Sequence, residues 1–286
     1  MKLATINANG EILAAIQTDQ GYLPLPAGDL SEFIKRPDWK ATAAETLASG
    51  TADDLIPAGQ ARLLNPLPAP AKVVCCGLNY SEHIFEMGRE LPDYPTLFAK
   101  FADTLADPDA EISSASSTNV DWEAELAVVL GSDASSASLE EAQAAIAGYT
   151  VANDISMRDW QRRTLQWFQG KAFDGTTPLG PVLATADEID PVAGAEVICR
   201  INGEEVQRGN TSTLVFSAAR LISYISEFTT LRAGDIVLTG TPGGVGMGME
   251  PPRSLADGDR IETEIPGIGI LSNKFRIRVN SPALSQ

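Results

Sequence analysis

Apolar and polar positions alternate along much of this chain, and the alternation predicts strands more often than helices. Residues 2–6, 11–17 and 21–25 read as short strands, separated by the turn signals Asn9-Gly10 and Gln20-Gly21. A helical stretch follows around 42–48. Pro66, Pro68 and Pro70 then stand at alternate positions, which makes a stiff extended connector. A boundary is drawn there, giving a small N-terminal domain at 1–65 and a larger one at 66–286. Beyond it, residues 72–76 read as a buried strand that stops at Gly77. A short helix over 81–87 is closed by Gly88. Residues 120–130 alternate strongly, with Trp122, Ala124, Leu126 and Val128 on one face and Asp121, Glu123 and Glu125 on the other.

Ser138-Leu139-Glu140-Glu141 is a capping box that opens a helix to about Ala147. Residues 148–155 form another strand candidate, and Leu214, Ala218, Leu221, Ile222 and Ile225 keep helical spacing. Strands are predicted at 235–238 and 260–265. Pro266-Gly267-Ile268-Gly269 then turns the chain into a strand at 270–279. Strands dominate with few helices between them, so the expected class is a β-rich α+β fold and not an alternating βα sheet.

Composition narrows the function. Acidic residues number 38 against 21 Lys plus Arg, for a net charge of −17. A surface this acidic repels nucleic acid and anionic membrane, so neither is an expected partner. No run approaches the ~20 apolar residues that span a bilayer. The N-terminal apolar stretch is too short for a signal peptide. Cys75, Cys76 and Cys199 have neither zinc-type spacing nor an even disulfide framework, which suits free thiols in a reducing, cytoplasmic setting.

The single histidine, His83, is the one side chain whose ordinary pKa suits proton transfer near neutral pH. Glu86 lies three residues on and shares its face if the segment is helical, as a carboxylate orienting a base would. The bland alternative is an ordinary surface or core histidine. Glu123 and Glu125 project from one strand face roughly 7 Å apart along the chain. A solvated sheet face explains such a pair, but Asp154 follows the apolar strand 148–153 and ends it near by. Three hard oxygen ligands at strand ends suit Mg²⁺ or Mn²⁺. Arg158, Arg162, Arg163 and Lys171 form a local positive cluster: either a solvated helix face or, beside a bound metal, a receiver for an anionic substrate. Lys171, after a glycine and beside aromatic residues, would place an ammonium against developing negative charge. The loop from Gly240 to Gly246 is rich in backbone N–H groups fit for a carboxylate or phosphate. It matches neither a Walker A loop nor a dinucleotide fingerprint.

Taken in order, several motifs resemble the fumarylacetoacetate hydrolase family. They are Gly77-Leu78-Asn79-Tyr80 with His83 and Glu86; Asp121-Trp122-Glu123-Ala124-Glu125; Gly148 through Asp154; Gln166-Trp167 with Gly170-Lys171; Pro178-Leu179-Gly180-Pro181; and Gly234-Asp235 with Thr239-Gly240-Thr241-Pro242. The resemblance covers about 72–277. It implies a mixed β-roll catalytic fold, a homodimer, and Mg²⁺ or Mn²⁺ at Glu123, Glu125 and Asp154. It also implies a His83–Glu86 catalytic dyad, an active-site Lys171, and substrate contacts from Arg158, Gln161 and Thr241. One loop departs from the family: Lys100 is followed by Phe101-Ala102-Asp103 where many members have Pro and then Ser. The implied activity is divalent-metal-dependent hydrolysis of a C–C bond in a 2,4-diketo acid of the acylpyruvate or fumarylpyruvate type, with the dyad activating water. The alternative is isomerisation or decarboxylation of a related keto or enol acid, of the 2-hydroxyhepta-2,4-diene-1,7-dioate isomerase or oxaloacetate decarboxylase type. A protein of another class, silent in catalysis and binding a metal or a small carboxylate, is the third possibility.

Overall fold

The protein is described by a computed structural model covering residues 1–86 and 90–278, without the side chains of His83 and Glu86. Gly88, expected to close the helix of His83, lies outside those residues. The fold is β-rich α+β, as the alternation predicts. An eleven-stranded mixed sheet forms the centre, and a five-stranded sheet lies against it.

The first hairpin follows from its turn. Asn9 (φ 55°) and Gly10 (φ 92°) both take the left-handed conformation that a tight two-residue connection requires. Lys2–Ala8 and Glu11–Thr18 therefore pair in register, Ala8 opposite Glu11. Lys2–Ala8 also pairs with Thr177–Thr185, deep in the larger segment. The sheet is thus continuous across the proline connector. Leu67, within that connector, is fully buried, and the Thr5 hydroxyl donates to the Pro66 carbonyl at 2.8 Å.

Two cores flank the large sheet. One lies between the sheets, where Leu126, Val128 and Val151 meet Val197, Ile261, Leu271 and Phe275. The other holds Ala127 and Val129 against Leu30, Phe33, Ile34 and Trp39, from the helices Leu30–Ile34 and Trp39–Ser49. Ala124–Leu130 is therefore buried on both faces. Alternation there separates two cores, not core from water.

The expected strand over 120–130 is interrupted. Val120–Asp121 pairs with Ser156–Met157, and Ala124–Leu130 pairs with Ile146–Asn153 and Ile236–Leu238. Trp122 and Glu123 break it because their N–H groups go to side chains: Trp122 to Asp121 Oδ1 and Glu123 to Asn153 Oδ1. The capping-box helix is Leu139–Ala144, shorter than expected, because Ile146 already begins a strand. The later helix is Ala218–Ser226, capped by Ser217. Leu214 falls outside it, in a bridge to Tyr80. The alternation predicted no element over Thr177–Thr185 or over the hairpin Glu196–Ile201 with Glu204–Asn210. No helix among the described residues is long and apolar enough to cross a membrane.

Candidate active site

Register assembles the carboxylates. Ala124 stands opposite Asn153, so Glu123 and Asp154 lie just past the ends of paired strands, and the Asp154 N–H donates to the Glu123 carbonyl at 2.8 Å. Glu125, one pair further in, completes a group whose ligand oxygens all lie within 4.8 Å of one another. Glu125 and Asp154 are buried and Glu123 is nearly so.

Three cationic side chains surround them. Lys171, fully buried at the end of Phe168–Lys171, donates to Glu123 Oε2 at 2.7 Å and Asp154 Oδ2 at 2.8 Å. Gly170 makes this approach possible, since a Cβ there would stand 2.5 Å from Gln161 Cβ. Lys100, at the end of Thr96–Lys100, bonds Asp154 Oδ1 and donates to Thr177 Oγ1 at 2.7 Å. Arg158 donates through Nε to Asp121 Oδ2 at 2.8 Å and through Nη1 to Gln161 Oε1 at 3.0 Å. Its Nη2 lies 2.7 Å from Glu123 Oε1 in an ion pair.

The carboxylates are pushed in opposite directions. Burial raises Asp154, but Lys100 and Lys171 more than offset it and hold the group below its ordinary range. Glu125 is driven well above that range by burial and by the charges of Asp154 and Glu123, with Lys171 and the Gly240 N–H opposing only in part. For Lys171, burial favours the neutral amine, but Asp154 and Glu123 outweigh it and keep an ammonium. Glu125 accepts one bond, from Gly240 N–H at 2.7 Å, and meets no cationic group directly among the described residues. A buried carboxylate so placed, with two more hard oxygen donors beside it, fits a divalent cation.

These groups open onto a cavity of about 560 Å³. Glu123, Arg158, Gln161, Lys171 and Thr241 line its polar part; Leu78, Phe98, Trp167, Val245 and Met247 line its apolar part. Gly77 is required where Trp167 crosses the strand end, because a Cβ would lie 2.4 Å from the ring. The Thr241 hydroxyl donates to the Ala124 carbonyl and accepts from Gln207 Nε2, both at 2.9 Å.

Most of the expected site residues converge here: Glu123, Glu125, Asp154, Arg158, Gln161, Lys171 and Thr241. Arg162 also lines the cavity but is exposed, and Arg163 stacks on Trp160 outside it. His83 and Glu86 belong to the helix Ser81–Glu86, and their side chains lie outside what the structure describes. The segment leading into that helix is pinned at the site: Asn79 Nδ2 donates to the carbonyls of Phe216 and Thr239. The glycine-rich loop does bind carboxylates, but they are the protein's own, since Gly240 N–H goes to Glu125 and Gly246 N–H to Asp121. Sequence reasoning gave no role to Lys100, Asp121 or Gln207. A lysine ending an apolar strand was the one available sign of Lys100; Gln207 had none.

A sequence profile described as Fumarylacetoacetate (FAA) hydrolase C-terminal matches residues 72–276. The chain belongs to the fumarylacetoacetate hydrolase family. Within the family it is 45% identical over 222 residues to the mitochondrial oxaloacetate tautomerase Fahd2a of Rattus norvegicus, spanning 77% of this chain and 71% of that protein. Among solved family structures, 5-carboxymethyl-2-hydroxymuconate delta-isomerase from Mycobacterium smegmatis superimposes with a TM-score of 0.81 at 30% identity, over 97% of this chain and 100% of that one. Maleylpyruvate hydrolase from Sphingobium sp. SYK-6, solved with manganese(II) and pyruvate, gives a TM-score of 0.80 at 25% identity, over 97% and 100%. The family is enzymatic, but tautomerases and isomerases stand among its similar members here. That shifts the expectation away from acylpyruvate hydrolysis and toward the alternative of enol-acid isomerisation.

Proposed function

We propose that this protein is a divalent-metal-dependent keto–enol isomerase acting on a small 2-keto dicarboxylic acid of the oxaloacetate type. The observation that carries the reading is the Lys171 ammonium, held between Glu123 and Asp154 at a cavity that Arg158 also lines. That is an arrangement for stabilising an enolate. Preference for tautomerisation over C–C cleavage rests on the likeness to the rat tautomerase.

Glu123, Glu125 and Asp154 would hold the cation, Mg²⁺ or Mn²⁺; manganese in the maleylpyruvate hydrolase structure supports the second. Such a cation, when bound, supplies Lewis acidity toward the keto and carboxylate oxygens. Arg158, fixed through Nε, receives the substrate carboxylate. Lys171 remains charged and so donates a hydrogen bond to the oxygen where negative charge grows, rather than acting as a base. His83, with Glu86 as its partner carboxylate, would take the C3 proton in the keto-to-enol direction and return it to the enolate oxygen, so the proton lost at carbon is the one gained at oxygen. General-base help of this kind contributes about 10²–10⁴-fold. No bond other than C–H and O–H is exchanged, so water need not enter.

The deciding experiment follows the ultraviolet absorbance of freshly dissolved enol-oxaloacetate with Mg²⁺, with Mn²⁺ and with chelator, beside a panel of acylpyruvates. Divalent-dependent acceleration of enol decay, without cleavage of the panel, is expected. Enol decay at the background rate, with an acylpyruvate split to pyruvate, would return the assignment to hydrolysis.

A further inference from the structure

Asp121 opens the motif that carries Glu123 and Glu125, yet it is not part of the carboxylate group they form with Asp154. Its buried carboxylate accepts four donors. Oδ1 takes the N–H groups of Trp122 (2.8 Å) and Gly246 (2.7 Å); Oδ2 takes Arg158 Nε (2.8 Å) and the Met247 N–H (3.0 Å). An ionised carboxylate offers about four acceptor sites, so none is left for a ligand. Two of the donors come from the loop that walls the cavity with Val245 and Met247, and one from the arginine that lines the same cavity. Gly246 permits the contact, since a Cβ there would lie 2.8 Å from Asp121 Oδ1 and 2.7 Å from the Trp122 ring. Trp122 Nε1 in turn donates to the Gly244 carbonyl at 3.1 Å, tying the same loop a second time.

We infer that Asp121 is a positioning residue that sets Arg158 and the wall loop 244–249 as one unit, so that the anion-receiving group and the apolar wall beside it are placed together. This rests on reading the cavity as a keto-acid site. Arg158 has other partners at Nη1 and Nη2, but Nε has Asp121 alone among the described residues. In Asp121→Asn the remaining carbonyl serves Trp122 and Gly246, while the new NH₂ group confronts two donors, Arg158 Nε–H and Met247 N–H.

The test uses the full chain loaded with Mn²⁺, with oxalate as the probe anion. Calorimetry of Asp121→Asn should show oxalate binding weakened about tenfold or more, the scale of one lost charged hydrogen bond, with Mn²⁺ affinity little changed. Hydrogen exchange should quicken at the amides of Gly246 and Met247 and not across the sheets. In turnover KM should rise while kcat changes little, because ground-state and transition-state binding are lost together. Unaltered oxalate affinity overturns the inference, as does loss of Mn²⁺ in parallel with oxalate, which would place Asp121 in the metal site. Should the variant not fold, the wild-type protein still decides: saturating oxalate should slow exchange at Met247, and no change there overturns the inference. Oxalate and exchange responses as expected, with no tautomerase turnover in wild type, would count against the functional reading alone.

Discussion

Two charge clusters of similar geometry occupy opposite kinds of surroundings. On the five-stranded sheet, Arg208 reaches Glu196 and Glu205 at 2.6 Å each, with all three side chains roughly half in water. At the cavity, Lys171 and Arg158 reach Glu123 at 2.7 Å with almost no exposure. Distance alone would rate the surface cluster the stronger. Solvent reverses the ranking, because water screens the first and leaves the second in a low-dielectric interior. Buried ion pairs seldom gain stability over apolar packing, so a cluster like that at Glu123 marks a place where the fold gives up stability for chemistry.

The largest effect expected from breaking the buried cluster is Glu125→Gln. Loss of one of three metal ligands should lower divalent-dependent turnover by at least about 10²-fold, read from enol decay. The same variant sharpens the comparison on stability. Glu125 is raised by burial, so in chelator its favourable contribution is present below its unfolded pKa of about 4.3 and is lost as pH rises through the folded value. The chelator-treated wild type should therefore melt below Glu125→Gln at pH 8, with the gap closing as pH falls. A gap of opposite sign would show that Glu125 is not strained by its surroundings.

Lys100→Met comes next. It leaves Asp154 Oδ1 buried without its cation and should destabilise by about 3–5 kcal/mol in chemical denaturation. A change within error would mean that the buried pair is as inconsequential as a surface one. Arg208→Ala is the smallest: its melting temperature should match wild type in low and high salt alike. A clear loss there would erase the distinction between the clusters.

Much of this site was legible because chemistry and register agree. Glu-x-Glu beside a strand-ending Asp154 predicted the carboxylate group, and pairing of Ala124 with Asn153 delivers it. What stayed hidden depends on contacts distant in sequence. Lys100 meets Asp154 across 54 positions and Gln207 meets Ala124 across 83, and nothing local in either residue announces the partner. The fold was partly misread for a similar reason. Alternation at 120–130 suggested a solvated face, whereas both faces of Ala124–Leu130 are buried, one of them by helices from the first fifty residues. No element was predicted over Thr177–Thr185, a strand inside the large sheet that carries two prolines and a glycine.

That same strand bears on how the protein can be trimmed. The family profile begins at residue 72, and a laboratory fragment cut to match it would look like a sensible minimal enzyme. Yet Lys2–Ala8 covers part of Thr177–Thr185. Cutting it away would bare the backbone groups of the strand at Leu183 and Ala184, in a buried, apolar stretch, a template for sticking to other chains. The leading segment therefore acts as a cover for the sheet, and a shortened enzyme should collect in the insoluble fraction even with every catalytic side chain intact.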